Sequence, residues 1–584
     1  MPLRAVAMGI QTLGSVASTG LTMAAIPVRE GVRALSGELP GPPLTRHCWH
    51  GNNRAWIEVR GLDGPDGAER GRAVLGAVRA YPGVASATLN RPLSRIVVSL
   101  DGDRTSLHEL CKVLDDTEWR VGPAAQGAGA RRADRSARPK PLPGDGLLLA
   151  TRAVTMGATA TGMGVALTGR ALRWPRLPAS VEAVVAVVDY QPQLRRLLED
   201  RIGLAATDTV LNVAMTAAHV VSLSPASLGV DLLMEIVKAA ECRAEARAWR
   251  RHEPALAAHA DQPDGHPPAR PVPPGEGLVD RHARRSALVQ AVGAAVVGAY
   301  TRSINMASTA ALVATPKAMR TTREAFAATL GQGLADRHGV LPLHPPSLRR
   351  LDRVDVLLVD PRVLCTDTLR VVRVRGARDD ELSAAWNRAQ ELLDEPGLRS
   401  GWHPVAGVSG RRPGKIEALI CPAHDPLASA VLAEARHSDL DLTSVDVEAL
   451  GELCSAFDEL RPLDTGSVDD ALTAALADLQ QAGRTVAVLS SGGAQALSSA
   501  DLGLGVMGNS DAAPPPWTAD LIVSDLAGAW RVLHALPAAR SASRRGVEIS
   551  AGASALGALL MLPGVRGRGP GPVTTGAAAG LFSG

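Results

Sequence analysis

The sequence predicts a multidomain α/β chain that also carries transmembrane helices. First, the 584 residues are 46% hydrophobic and 21% charged, which is enough for about three or four folded domains. Second, uncharged runs close to the length of a membrane helix recur between arginine clusters. Third, short apolar strands alternate with helices after residue 351, which predicts a parallel sheet. The net charge of only +3 does not favour a nucleic-acid-binding protein.

Residues 1–50 are predicted to be an N-terminal apolar or amphipathic segment. Its stretch from Ala5 to Val28 carries no charge and is bounded by Arg4 and Arg29. Gly, Ser, Thr and Ala make this stretch only mildly apolar. A membrane span, a signal peptide and an interfacial or core helix therefore all remain open for it.

Residues 51–121 are predicted to form a small ferredoxin-like α+β domain, because strand and helix patterns alternate there in the order β-α-β-β-α. The patterns lie at 55–59, 69–81, 85–90, 95–100 and 106–116. This order resembles the heavy-metal-associated domains that precede some metal-pumping ATPases. Those domains bind soft metals through a C-x-x-C loop after the first strand, whereas Gly61 to Asp66 contains no thiol here. No two of the six cysteines form such a pair, so we expect reduced and mostly buried thiols.

Two linkers separate this domain from three apolar regions. Residues 122–145 form a basic linker, and residues 251–285 form a Pro/His-rich linker. Transmembrane segments are predicted at 146–250, transmembrane helices with a stalk at 286–350, and further transmembrane segments, incomplete at the C-terminus, at 546–584. Three histidines in or near the second linker have no fixed geometry in a Pro-rich segment, so we predict no metal site there: His252, His259 and His266.

The uncharged runs are each at or just below the ~17–25 residues that a spanning helix needs. They are 153–169, 209–230, 286–301, 303–316 and 549–565. Any one of them alone is also compatible with a buried core helix. Their number and their arginine-rich flanks favour a multi-pass protein of the cell (plasma) membrane, with the lipid bilayer as a partner.

Residues 351–545 are predicted to form a cytosolic α/β domain. Apolar strands at 354–359, 483–489, 501–507 and 519–525, with a helix at 468–481 before the second, are typical of a parallel sheet. Such sheets carry their sites at the carboxyl ends of the strands. Asp360 directly follows the first strand and is therefore a candidate nucleophile, while an ordinary turn or helix cap is the alternative for it.

The order of these segments resembles the P-type cation-transporting ATPases, whose catalytic domain is haloacid-dehalogenase-like. Pro316 is followed by a basic stalk at 317–353 and then by the strand that ends in Asp360, at a spacing similar to that family's. Three further stretches resemble, in order, the family's nucleotide-domain Asp-Pro motif, the segment after its magnesium site, and its return to the membrane: 425–430, 500–507 and 540–565. The likeness covers roughly residues 146–584.

The resemblance implies a phosphorylated Asp360, ATP and Mg²⁺ as cofactors, and a transported cation that the sequence does not identify. The family's loop reads Asp-Lys-Thr-Gly-Thr, whereas this chain reads Asp-Pro-Arg-Val-Leu from Asp360 to Leu364. The Lys and the Gly are missing, and the charge of Arg362 opposes a metal beside the carboxylate. The family's Gly-Asp-Gly-x-Asn-Asp is replaced by 490–495, which holds no carboxylate. Asp367 is the alternative nucleophile in a second register.

These departures favour a degenerate half of a pump, resembling the N-terminal half of a long tandem bacterial member. It would not hydrolyse ATP by itself and would support a second, active P-type ATPase half. The gap at 242–285 is too short for the family's dephosphorylating domain, and an apolar helix begun near residue 572 stops at Gly584. Two alternatives remain open, which are an active ATPase with divergent motifs and a non-enzymatic regulatory membrane scaffold.

Overall fold

The computed structural model describes residues 46–62, 66–101, 106–121, 141–175, 178–202, 204–262, 275–405, 416–463, 466–508, 513–562 and 570–584. The predicted segment at 5–28, most of the linker at 122–145, and His266 lie outside the described residues. Two compact units divide the chain. The first unit comprises Met1–His266, Glu276–Asp352 and Pro537–Gly584, and the second comprises Pro267–Gly275 and Arg353–Leu536.

The N-terminal part of the first unit is an antiparallel sheet with two helices. In chain order the elements are β1 (Cys48–Gly51), β2 (Arg54–Glu58), α1 (Gly67–Arg79), β3 (Val84–Asn90), β4 (Arg95–Leu100) and α2 (Leu107–Val121). The strand order is β1-β2-β4-β3. Strand β1 was not predicted; it pairs with β2 through Asn52 and Asn53, whose φ angles of 51° and 57° suit a two-residue hairpin turn.

Tryptophans join this sheet to a long helix of the same unit. Trp56 and Trp249 are fully buried, and their ring centroids lie 5.2 Å apart in an edge-to-face arrangement. Glu253, also fully buried, accepts hydrogen bonds from the Arg54 guanidinium at 2.8 and 2.7 Å and from Trp56 Nε1 at 3.0 Å. The buried carboxylate therefore has a charged partner and a neutral donor.

Where the structure describes it, the rest of the first unit has helices and the two-residue strand β5 (Leu341–Pro342) as its named elements. Its helices are α3 (Gly146–Ala171), α4 (Ser180–Tyr190), α5 (Pro192–Ile202), α6 (Leu204–Val221), α7 (Pro225–Ala258), α8 (Leu278–Thr301), α9 (Ile304–Val313), α10 (Lys317–Arg337), α16 (Leu536–Leu559) and α17 (Gly571–Ser583), where the numbers 11 to 15 belong to the second unit. The uncharged run at 209–230 is divided between α6 and α7, since α7 begins at Pro225. Arg302, with φ of 49°, separates α8 from α9 at the point where it also separates the uncharged runs at 286–301 and 303–316.

Among the residues that the structure describes, no helix combines the length and the apolarity that a membrane crossing requires. The transmembrane helices predicted at 146–250, 286–350 and 546–584 are therefore not found as such spans. The break at Pro225 shortens the predicted run at 209–230. In α3, which is long enough at 26 residues, Gly, Ala and Thr replace the large aliphatic side chains of a typical span.

The second unit contains a parallel sheet and an antiparallel sheet. Its elements are β6 (Val356–Val359), β7 (Cys365–Arg375), α11 (Leu382–Leu392), β8 (Gly401–Pro404), β9 (Glu417–His424), α12 (Ala428–His437), β10 (Asp441–Val445), β11 (Glu459–Arg461), α13 (Val468–Gln481), β12 (Val486–Ser490), α14 (Ala494–Ser499), β13 (Leu502–Val506), β14 (Leu521–Val523) and α15 (Leu526–His534). Six strands run parallel in the order β11-β10-β6-β12-β13-β14. Strands β7, β9 and β8 form the antiparallel sheet.

Burial on both faces explains the apolar strands at the centre of the parallel sheet. All four residues of β6 and all five of β12 are buried. Strands covered by helices on both faces read as continuous apolar runs rather than as alternating ones. The two units together make the chain a multidomain α/β protein, and the carboxyl ends of β6 and β12 lie side by side.

Candidate functional site

Asp360 lies at the carboxyl end of β6, between the neighbouring strands β10 and β12. Its side chain is fully buried, with 0% exposure. Its backbone N–H donates to the carbonyl of Leu489 on β12 at 2.8 Å, which fixes the start of the loop. The carboxylate is thus held at the edge of the sheet where α/β proteins build their sites.

The nearest cation is supplied by the loop itself. After Pro361 the chain turns through one short 3₁₀ helix, Pro361–Leu364. The backbone N–H of Arg362 donates to Asp360 Oδ1 at 2.9 Å. Its guanidinium folds back and donates from Nε to Oδ1 at 2.9 Å and from Nη2 to Oδ2 at 2.8 Å. This two-point contact is the strong form of an arginine–carboxylate pair.

Two further groups complete the surroundings of this carboxylate. Ser490, the last residue of β12, donates from Oγ to Asp360 Oδ2 at 2.6 Å and accepts from the N–H of Gly492 at 3.1 Å. The Arg362 guanidinium also pairs with Asp469 in the first turn of α13. A Cβ at Gly492 would lie 3.2 Å from Arg362 Nη2, so glycine leaves the room that the guanidinium occupies.

The electrostatics of the pocket match this geometry. Asp360 raises the pKa of the Arg362 guanidinium above its ordinary value by accepting its hydrogen bonds, and Asp469 adds to the rise although burial opposes it. A guanidinium that donates hydrogen bonds to two carboxylates holds its proton tightly. The pocket therefore carries its own permanent cation.

Mg²⁺ does not fit the groups that are present. Both oxygens of Asp360 already accept hydrogen bonds, three from the guanidinium and one each from a backbone N–H and a hydroxyl. A dication needs free oxygen ligands and would be repelled by Arg362 at this distance. Residues 490–495 supply hydroxyl and backbone groups but no carboxylate. The carboxylate of Asp469, which was not predicted, is itself paired with Arg362.

The loop also lacks the groups that would cradle a phosphate. Pro361 follows Asp360 directly and has no N–H to donate. The N–H of Val363 donates to the backbone carbonyl of Asp360 at 3.1 Å, so it points back into the turn. What this arrangement can do chemically is hold a buried carboxylate in an ion pair. It does not present a free nucleophile.

The other predicted residues lie elsewhere. Asp367 is exposed in β7 of the antiparallel sheet, not at the end of a parallel strand. The N–H of Asp425 donates to the carbonyl of Leu364 at 2.8 Å, and its carboxylate caps the turn before α12. His252 lies in α7 with Nδ1 2.8 Å from the carbonyl of Ala248. Within the described parts of the chain, no three His, Cys, Asp or Glu side chains are grouped so that they could hold a metal ion.

Sequence reasoning missed Ser490 and Asp469 as parts of this pocket. The strand predicted at 483–489 ends one residue before Ser490, and neighbouring parallel strands end at one edge, so the serine could have been placed beside Asp360. Asp469 stands in the first turn of the helix predicted at 468–481. Its contact depends on where that helix begins relative to the sheet, which no local pattern specifies.

No protein-family model matches the chain. The chain is 28% identical over 645 aligned positions to "Probable cation-transporting ATPase I" of Mycobacterium tuberculosis strain H37Rv, covering 95% of this chain and 38% of the relative. The protein of the same name from Mycobacterium leprae strain TN is 28% identical over 626 positions, covering 91% of this chain and 37% of the relative. The chain thus spans less than two fifths of the length of these curated relatives.

Two solved structures are also similar at low identity. A zinc-transporting PIB-type ATPase in the E2P state gives a TM-score of 0.43 at 14% identity and covers 74% of this chain and 95% of its own. The catalytic domain of the CPx-ATPase CopB-B gives a TM-score of 0.25 at 12% identity and covers 33% and 95%. By the sequence comparison the chain is similar to curated proteins named as probable cation-transporting ATPases, the kind of protein that the order of its segments resembles.

Proposed function

We propose that this chain is a catalytically silent, degenerate half of a cation-transporting P-type ATPase, which does not hydrolyse ATP by itself. The observation that carries the proposal is the ion pair between Asp360 and Arg362. The carboxylate that the resemblance assigns to phosphorylation is fully buried and accepts five hydrogen bonds from the chain.

The cost of freeing the carboxylate supports this proposal. Phosphoryl transfer depends mainly on positioned charge and a metal ion. To bring Mg²⁺ to Asp360, the chain would first have to displace the guanidinium. Breaking a fully buried ion pair by removing one partner costs about 3–5 kcal/mol, and this pair lies at the low end of that range because the Arg362 side chain is 43% exposed. Pro361 thus acts against turnover because it has no N–H to offer a phosphate. Arg362 acts against it because its guanidinium already occupies the carboxylate of Asp360.

We further propose that the chain works at the plasma membrane, as part of or beside an active ATPase half. The similarity over 95% of this chain to proteins more than twice as long supports it. Its second unit is proposed to be haloacid-dehalogenase-like, which the strand order around Asp360 supports. Its N-terminal part is proposed to be ferredoxin-like and related to heavy-metal-associated domains, which the order β2-α1-β3-β4-α2 supports.

Phosphoenzyme formation directly tests the proposal that the chain is catalytically silent. Membranes containing the full chain are incubated with γ-labelled ATP and Mg²⁺, and acid-stable, hydroxylamine-labile label is measured on the wild type and on Asp360→Asn. We expect no label on either protein. Label on the wild type that disappears in Asp360→Asn would overturn the proposal.

Asp367→Asn is the matched control, because that carboxylate is exposed and belongs to the other possible register. Label that is lost in Asp367→Asn alone would overturn both the proposal of a catalytically silent chain and the placement of the site at Asp360. A second measurement adds Mg²⁺ with beryllium fluoride, a mimic of a phosphorylated aspartate, and follows hydrogen exchange in residues 354–364. We expect no added protection there.

A regulatory scaffold differs from a silent pump half in what it binds. Co-purification of a partner that is not an ATPase, and that depends on residues 54–119, would favour the scaffold. A partner ATPase half that is retained when those residues are deleted would favour the proposal made here.

A further inference from the structure

A second charge cluster lies in the first unit, among helices that the candidate site does not involve. It consists of Glu182 on α4, His219 on α6, Asp231 on α7 and Lys317 on α10, and we call it the His219 cluster. The histidine is 1% exposed. The side chains of its three partners are between 13% and 25% exposed. Four helices therefore contribute one ionisable group each to one largely buried place.

Each ring nitrogen of His219 faces a carboxylate oxygen. Nε2 lies 3.2 Å from Glu182 Oε1, and Nδ1 lies 2.8 Å from Asp231 Oδ2; the second contact is within ion-pair distance but its angle is not that of a hydrogen bond. Asp231 uses its other oxygen, Oδ1, to accept from Lys317 Nζ at 3.0 Å. The imidazole thus bridges Glu182 and Asp231. Within the cluster, Asp231 has Lys317 as a second cationic partner and Glu182 has no second one.

The donor inventory of histidine decides what this bridge requires. An ionised carboxylate only accepts hydrogen bonds, and a neutral imidazole carries a single N–H. Two carboxylate oxygens within ion-pair distance of the two ring nitrogens therefore favour a proton on each nitrogen, that is, an imidazolium. A neutral ring would set a lone pair against one of the two carboxylates in a buried place.

The charges balance only in the protonated form. Two carboxylates and two cations sum to zero, whereas a neutral His219 leaves a net charge of −1 away from water, which is costly. The charged groups on neighbouring elements are paired among themselves. Asp189 on α4 accepts from Arg195 on α5 at 2.7 Å and from Arg320 on α10 at 2.7 Å. Helix α3 presents Thr159 to Thr216 of α6, which is uncharged.

We propose that the His219 cluster is a proton-binding site, in which His219 is held as an imidazolium between Glu182 and Asp231 while Lys317 completes the charge balance. The ligand is a single proton. The bound proton ties α6 to α4 and α7, while the pair of Asp231 and Lys317 joins α7 to α10 without it. This proposal is independent of the proposal that Asp360 is not phosphorylated, because the two centres belong to different units and share no residue.

Nitrogen-15 NMR of the histidine rings tests the proposal. The full chain is labelled on its histidines and measured at pH about 8, where an exposed imidazole with its ordinary pKa of ~6.5 is almost wholly neutral. Subtracting the spectrum of His219→Gln isolates the ring in question. We expect the signals of two protonated nitrogens. Signals of one protonated and one bare nitrogen would overturn the proposal.

Two further variants keep the test decisive. His437→Gln, at the exposed end of α12, supplies the reference spectrum of a surface ring. Glu182→Gln keeps the imidazole and removes one of the two negative charges. It therefore still tests the bridge if His219→Gln does not fold. In Glu182→Gln we expect the imidazolium signals to be replaced by those of a neutral ring at the same pH. Imidazolium signals that persist unchanged would show that the bridge does not hold the proton.

Discussion

The Asp360 pocket and the His219 cluster both neutralise buried carboxylates with cations of the chain, but they assemble those cations differently. Asp360 takes its guanidinium from Arg362, two residues along the same loop. The His219 cluster takes its four groups from four helices. The first pairing exists as soon as the loop turns, whereas the second exists only in the folded helical unit. A local ion pair can therefore be inferred from the sequence, and a distributed one cannot.

The two centres also differ in what sets their charge. A guanidinium stays protonated at every pH a protein meets, so the balance at Asp360 is permanent. An imidazole changes its charge near neutral pH, so the balance at His219 depends on a proton. The comparison thus separates a closed pocket from a switchable one, and substitutions that remove one cation at a time measure the difference.

Arg362→Met should give the largest effect. It removes the side-chain cation that pairs with a fully buried carboxylate; losing a partner of a fully buried pair costs about 3–5 kcal/mol, and the 43% exposure of Arg362 places this loss at the low end. Part of this is offset because Ser490 and a backbone N–H still donate to Asp360. We expect about 3 kcal/mol, or a roughly 100-fold rise in amide exchange, in the peptide that contains β6, measured by hydrogen–deuterium exchange of the full chain.

The double variant Asp360→Asn/Arg362→Met is the control for that prediction. It removes both charges, so most of the protection should return. If Arg362→Met leaves exchange in β6 unchanged, the guanidinium does not neutralise Asp360, and the pocket is open to other cations.

Lys317→Met should have a smaller effect on the distributed centre. Asp231 loses one cationic partner but keeps His219, and its side chain is 25% exposed. We therefore expect about 2 kcal/mol, below the range for a fully buried pair. The measurement is amide exchange in the peptides at the start of α7 and of α10.

Lys238→Met is the matched control, because Lys238 lies in the same helix as Asp231 and is similarly buried. Its ammonium is 3.6 Å from Glu235 in a pair one helical turn apart, which is worth about 0.5 kcal/mol or less. Equal effects of the two substitutions would mean that the His219 cluster contributes nothing beyond an ordinary helix pair.

Much of the parallel sheet could be predicted from the sequence. The predicted strands at 354–359, 483–489, 501–507 and 519–525 overlap β6, β12, β13 and β14, and the helix predicted at 468–481 coincides with α13. Continuous apolar runs give a strong local signal. Strands β10 and β11 were not predicted, since Thr443 and Ser444 in the first and Glu459 and Arg461 in the second interrupt the apolar pattern.

The membrane-like runs and the site show where local patterns are insufficient. Charge-free stretches such as 153–169 are composed largely of Ala, Gly and Thr, so the absence of charge is not equivalent to apolarity.

Arg362 could be predicted as an obstacle to a metal because it stands two residues from Asp360. Its pairing with Asp469 depends on tertiary geometry. The bridge at His219 depends on it entirely.

Ser490→Ala should have a moderate effect that isolates one hydrogen bond at Asp360. The hydroxyl donates to a charged acceptor at 2.6 Å, and such bonds contribute about 1.5–3 kcal/mol. Ser444→Ala is the matched control on the other side of β6, since its hydroxyl donates to the neutral carbonyl of Val359 at 2.8 Å. We expect ~1.5 kcal/mol for Ser490 and ~1 kcal/mol or less for Ser444, by exchange in β6. The reverse order would argue against an ionised Asp360.

Glu58→Gln should have the smallest effect and the clearest dependence on pH. Burial alone would raise the pKa of Glu58, but the N–H of His47, which donates to it at 2.8 Å, and the charge of Arg95 more than offset this, so the pKa is lowered. A carboxyl whose pKa is lower in the folded state stabilises the fold above its unfolded pKa of ~4.5 and loses that contribution as the pH falls through the folded value. At pH 7 we expect the variant to be less stable by ~1 kcal/mol. The difference should shrink steadily below pH ~4.5, as measured by amide exchange in β2 and β4 with intrinsic rates corrected for pH. A difference that stays constant down to pH 3 would mean that packing, and not the ionised carboxylate, is what the substitution removes.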